Sequence, residues 1–132
     1  MSASAVQQLG IVAGQVVQEA GYDDDCDEEL REAIAETTGN ELVDADYEDT
    51  ADVALLWWRD GDGDLLDALI DVLPGLQHGG GVALLTPKAG RAGSVEAGDI
   101  ADAAKASGLT VTASLSASPD WTATRLESAA SR

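Results

Sequence analysis

The sequence predicts an α/β fold: a single small sheet, mostly parallel, with helices on both faces and an antiparallel hairpin at its C-terminal end. The first observation is that Val53–Trp58 and Val82–Thr86 are continuously apolar, as strands covered on both faces are. The second is the stretch between them, where Leu65, Leu69 and Leu73 recur every fourth residue with Leu66 and Ile70 alongside, the broad apolar stripe of a helix packed on a sheet. Parallel strands joined through a helix form a right-handed βαβ unit. The third is the alternating run Leu109–Leu115, followed across Ser116–Pro119 by Asp120–Leu126, which reads as a hairpin.

The remaining elements follow in order. Residues 1–8 and 128–132 are small and polar and are expected to be flexible. Gly10–Gly21 holds a short β-prone run around Val16 and Val17 between glycines. Asp27 is placed to cap a helix through Thr37, with Glu28 and Glu29 at its positive end and Leu30 and Ile34 one turn apart as its buried stripe. Gly39-Asn40 closes that helix. Glu41–Asp44 reads as a short edge strand. Asp64 caps the helix of the βαβ unit, Pro74-Gly75 stops it, and Asp99 starts a third helix that ends before Gly108. With 132 residues and neither repeat nor linker, residues 1–132 form one domain.

Composition narrows the function classes. A formal charge of -18, from 25 acids against 7 bases, disfavours direct nucleic-acid binding, which needs clustered Lys and Arg. Phenylalanine is absent, so core volume comes from Val, Leu, Ile and Ala, with the tryptophans as large fillers. Cys26 is the only cysteine, which rules out an intramolecular disulfide and a cysteine metal framework. No apolar run approaches a membrane span, and MSASAVQQLG has neither a basic leader nor an apolar core. A cytoplasmic location without membrane contact is expected.

The scarce bases are the most suggestive chemistry. Arg59 follows the first buried strand, and Lys88 and Arg91 follow the second. All three are expected at the carboxyl edge of the sheet, with Trp58, Asp120, Trp121 and Arg125 nearby. Such a cluster suits an anionic small molecule or an acidic partner side chain, or else it pairs with neighbouring aspartates and pins loops. Trp57 and Trp58 should point to opposite faces. Asp60, Asp62 and Asp64 match the start of a calcium loop, but Leu65 stands where glycine is needed, so a turn and helix cap is expected and no metal. His78 has no nucleophile or metal-ligand partner at a known spacing. Cys26 lies among carboxylates that would raise its pKa.

The segments LG-x3-GQVVQE from Leu9, GYDDDCDEELREAI from Gly21, LLWWRDGDGDLLDALID from Leu55, LLTPKAGR from Leu84 and DW-x3-RL from Asp120 resemble an actinobacterial family of small proteins known only as a domain of unknown function. The resemblance runs from Leu9 to Leu126. More distantly the pattern is similar to a truncated, Rossmann-like sheet of the class I methyltransferase type, with Gln15–Glu19 as its first strand. That likeness implies a cofactor turn at Glu19-Ala20-Gly21-Tyr22, yet one glycine stands where two or three are expected, and three aspartates follow. No cofactor is therefore expected. The function expected is a non-enzymatic regulatory or protein-interaction module with an unidentified protein partner. The alternatives are a small protein or enzyme using adenosylmethionine or a nucleotide, and an acidic decoy for a basic or DNA-binding partner.

Overall fold

The computed structural model describes residues 2–44, 46–47 and 49–128. Helix α1 (Ser2–Gln8) precedes strand β1 (Val17–Ala20), helix α2 (Glu28–Thr38), strand β2 (Ala51–Trp57) and helix α3 (Leu65–Val72). A 3-10 turn at Leu73–Gly75 leads into strand β3 (Leu76–Pro87), helix α4 (Ala97–Ala106), and strands β4 (Leu109–Ser116) and β5 (Trp121–Ser128).

The βαβ unit is present as expected, with β1, β2 and β3 parallel in neighbouring positions. The sheet as a whole is not mostly parallel. Its order is β1-β2-β3-β5-β4, and both pairings of β5 are antiparallel. The reason lies in the two hairpin strands. The β5 side chains Trp121, Ala123 and Leu126 are buried, whereas β4 is mostly exposed outside Leu109. The more apolar strand takes the interior position against β3, and β4 is left as the edge.

Each face of the sheet has its own core. Val53, Leu55, Trp57, Leu85 and Trp121 pack under α1 and α2, meeting Val6, Leu9, Leu30 and Ile34. Leu56, Trp58, Val82, Leu84 and Leu126 pack under α3 and α4, meeting Leu65, Leu69, Ile100 and Ala104. Trp57 and Trp58 thus part to opposite faces, as strand alternation requires, and both are buried.

Local signals act largely as predicted. Asp27 accepts from Leu30 N–H at 2.9 Å and caps α2; Asp64 accepts from Leu66 N–H at 3.3 Å and caps α3. Gly39 closes α2 with φ +80°. Helix α4 begins after Glu96, so Asp99 lies in its first turn rather than at its cap. The predicted edge strand Glu41–Asp44 is reduced to one parallel bridge, in which Glu19 N–H donates to Val43 at 2.7 Å and Val43 N–H donates to Val17 at 3.0 Å. The N-terminal segment, expected to be loose, is helical because Ala5, Val6 and Leu9 bury against the α2 side of the core. Residues 129–132 of the expected flexible tail lie outside the described residues.

Gly21, at the end of β1, is the position where a positive φ coincides with the closest approach to backbone. Its φ is +80°, and a Cβ there would lie 2.3 Å from the Trp57 carbonyl oxygen. Gly90 has a similar φ of +89° with open space around it. In urea unfolding, Gly90→Ala is expected to lose about 1 kcal/mol, the backbone strain alone. Gly21→Ala is expected to lose about 3 kcal/mol, since β2 must also shift to admit the methyl group.

Candidate functional site

At the carboxyl edge of β1 and β2, where ligands gather in open α/β sheets, the structure places a dense polar network. Strand alternation returns Arg59 to the face of Trp57. Its guanidinium forms an ion pair with both carboxylate oxygens of Asp25, with Nε at 2.9 Å and Nη2 at 2.5 Å. Nη1 donates to the Gly21 carbonyl at 2.9 Å and Nη2 to Cys26 Sγ at 3.3 Å. The cation also lies 5.3 Å from the centre of the Trp121 ring. Arg59 thereby holds the turn after β1 and the segment leading into α2 against the end of β2.

Deeper in the edge, Glu19 of β1 is a hub. It accepts from Arg31 Nε at 2.7 Å and Nη2 at 2.8 Å, and from Trp57 Nε1 at 2.8 Å. Trp57 meets Trp121 edge to face at 4.9 Å, and Trp121 Nε1 donates to the Asp25 carbonyl at 3.1 Å. Arg31 covers the Tyr22 ring at 4.3 Å and pairs with Glu28, which also accepts from the Tyr22 hydroxyl. These contacts join β1, α2, β2 and β5 around one corner of the sheet.

Ionisation follows from the same contacts. The Arg59 guanidinium holds the Asp25 carboxyl below its ordinary range. The hydrogen bond from Tyr22, followed by that from Arg31, lowers the Glu28 carboxyl, while Glu28 raises the Tyr22 phenol. Arg31 and Arg59 are both held further into their charged form, by Glu19 and Asp25 respectively. Cys26 is buried with its thiol pushed up, as expected, but the main cause is desolvation, with the carboxylate of Asp25 the weakest contributor. It is no activated thiolate.

The residues singled out from sequence meet only in part. Arg59 and Trp121 are in contact, and the loop after β3 packs on the Arg59 segment through a hydrogen bond from Asp60 N–H to the Gly93 carbonyl at 2.8 Å. Arg91 turns instead to Asp120 at 3.0 Å, an exposed pair, and Lys88 N–H donates to the Asp120 carbonyl at 3.0 Å. The Lys88 side chain lines a separate cleft of about 570 Å³ with Asp27, Glu29 and the turn before β5. Trp58 is buried on the opposite face, although it also reaches a cleft of about 380 Å³ beside Tyr22, Asp23 and Asp62.

Arg125 is not near the carboxyl edge. Strand β5 runs antiparallel to β3, so the chain travels from Trp121, opposite Pro87, to Arg125, opposite Ala83. There Nη1 donates to the Leu9 carbonyl at 2.8 Å just beyond α1, and the guanidinium fills the space over Gly81, where a Cβ would lie 2.6 Å from it. Its role is to anchor α1. The Asp60–Asp64 run forms a turn in which Asp62 accepts from Arg59 N–H at 3.0 Å, and no group of metal-binding side chains occurs among the described residues. The His78 side chain lies outside the described residues. Glu19, Asp25 and Arg31 carry most of the network, and no local sequence signal marked them.

The comparisons with known proteins agree with this architecture. Residues 6–130 match the family model described as "Protein of unknown function (DUF3052)". An uncharacterized protein of Mycobacterium tuberculosis is 45% identical over 126 residues, which is 96% of this chain and 79% of that protein. The pyocyanin biosynthetic protein PhzM superposes with a TM-score of 0.69 at 14% identity over 97% of this chain, which spans only 54% of PhzM. A SAM-dependent methyltransferase from Aquifex aeolicus superposes with a TM-score of 0.65 at 11% identity, covering 96% of this chain and 88% of the enzyme. At such identities the likeness is one of fold. The chain has a methyltransferase-like α/β fold, and it belongs to the family described as protein of unknown function, DUF3052.

Proposed function

We propose that this protein is a non-enzymatic, cytoplasmic interaction module on a methyltransferase-like scaffold, with the turn after β1 closed by the Arg59 guanidinium. That closure is the observation that carries the reading. Adenosylmethionine needs backbone to approach it at this turn. Here the Gly21 carbonyl accepts from Arg59, and Asp25 is drawn over the same guanidinium. A cleft of about 380 Å³ remains beside Gly21, Tyr22 and Asp62, but the Gly21 carbonyl and the Arg59 guanidinium that border it are already bonded within the chain, which disfavours that cofactor.

The surface supports contact with a protein. Arg31, Arg59, Arg91 and Arg125 all stand in intramolecular ion pairs, which leaves a large excess of carboxylates facing outward. A partner with a basic face suits that field, and its association would weaken as salt rises.

Thermal unfolding with adenosylmethionine, its demethylated product and ATP tests the closure. A ligand at a hundredfold excess over its Kd adds about 2.7 kcal/mol, which is roughly 10 °C for a domain of this size. The expected result is a shift within about 1 °C for each, and a rise near 10 °C would overturn the reading. Arg59→Met is expected to lower stability by about 2 kcal/mol through loss of charged hydrogen bonds.

The ion pair also sets a pH dependence. The Asp25 carboxyl is lowered in the folded state, so its contribution is complete above the unfolded carboxylate range and is lost as pH falls through the folded value. The stability difference between the protein and Asp25→Asn should therefore be constant above about pH 5 and shrink below about pH 4. Parallel urea titrations from neutral to acid pH measure it, and a difference that stays flat into acid would show that the pair contributes nothing.

A further inference from the structure

We propose that a second site, on the opposite face of the sheet from Arg59, binds a small ring-bearing amine. It is a cleft of about 370 Å³ between the first turn of α4 and the strands β3, β5 and β4.

The floor is unusual for a sheet face covered by a helix. Under the body of α4 that face is apolar, with Val82, Leu84 and Leu126 packed on Ile100 and Ala104. Toward the carboxyl end of β3 it changes to hydroxyls: Thr86 on β3, Thr122 and Thr124 on β5, and Ser114 on β4. The register sets Thr86 opposite Thr122, and Ser114 opposite Thr124. Hydroxyl side chains therefore line up across three adjacent strands.

Thr86 is 2% exposed and Thr124 is 4% exposed, and neither hydroxyl bonds to any described residue. Buried polar groups are nearly always paired, because leaving them unpaired costs free energy. The one fully buried side-chain nitrogen or oxygen without a hydrogen-bond partner among the described residues is Arg125 Nε, so each threonine hydroxyl keeps a little open surface, and with both residues lining the cleft that surface is free to bond a ligand. The walls are apolar, formed by Val95, Ile100 and Val111, and Val111 is left 41% exposed. A flat ring fits between such walls with its polar edge on the threonines.

Charge selects the ligand further. Glu96 is the charged residue lining the cleft, and its carboxylate neither caps α4 nor pairs with a described cation. No basic side chain is present there to hold an anion, and the chain carries a formal charge of -18. An amine would supply the missing counter-charge. The site shares no residue with the Arg59 network, so it stands or falls separately from the proposed closure.

A nuclear magnetic resonance titration of the full chain with tryptamine, indole and indole-3-acetate compares one ring as cation, neutral molecule and anion. Tryptamine should give saturable shifts at Thr86, Thr124, Val111 and the first turn of α4, indole should bind about tenfold more weakly, and the anion should not bind. Glu96→Gln should bring tryptamine down to the level of indole and leave indole unchanged. Thr86→Val, an isosteric change that removes an orphan hydroxyl, should keep or raise the melting temperature and weaken tryptamine about tenfold. Absence of saturable shifts in the cleft for all three probes, or an anion that binds as tightly as the amine, would overturn the site. So would a clear loss of stability in Thr86→Val, since that hydroxyl would then already have a partner.

Discussion

The corner of the sheet nearest α2 depends on where one guanidinium sits. Arg59 follows two tryptophans at the end of β2, and alternation along the strand sends Trp57 to one core, Trp58 to the other, and Arg59 back to the first. From there it reaches the Gly21 carbonyl and Asp25 in the connection between β1 and α2, and the Trp121 ring of β5. The short β1 has one full strand partner and, among the described residues, a single bridge on its outer side, with Glu19 tying it to Arg31 and Trp57. Removing the cation would leave Asp25 and the Gly21 carbonyl, both acceptors, without their shared donor.

The two faces of the sheet have been put to different chemical use. The α1–α2 face carries the ion pairs and the edge-to-face indoles, and its guanidinium groups are bonded within the chain apart from Arg125 Nε, which is buried without a hydrogen bond. The α3–α4 face is purely apolar under the helices but turns to unpaired hydroxyls where α4 begins. The scaffold is shared with proteins such as PhzM, while the polar groups belong to this chain.

Much of the fold was legible because local and tertiary signals agree. Continuous apolar strands, the leucine stripe of α3 and the aspartate caps each specify an element on their own. Strand order was less legible, since either hairpin strand can pair with β3 and the choice rests on comparing the burial of whole strands. The candidate site was read only halfway. Proximity to the carboxyl edge brought Arg59 and Trp121 together, and the structure has them in contact, but charge partners are set by three-dimensional distance, so Asp25, Glu19 and Arg31 could not be assigned. Arg125 was misplaced because an antiparallel strand carries its later residues away from that edge. The threonines of β3 and β5 had a signal: hydroxyls at positions whose neighbours on the same face are Val82, Leu84 and Leu126.

The interior position of β5 bears on how the chain is made. Strands β1 to β4 leave the ribosome first, yet β3 and β4 do not touch each other in the finished sheet; β5 lies between them. Until β5 emerges, β3 presents a bare, apolar edge and β4 has no partner, the kind of surface that invites pairing with another chain. The sheet therefore cannot zip up progressively from its N-terminal end. Its closure waits for the last strand, which enters between two elements already synthesised and satisfies both at once.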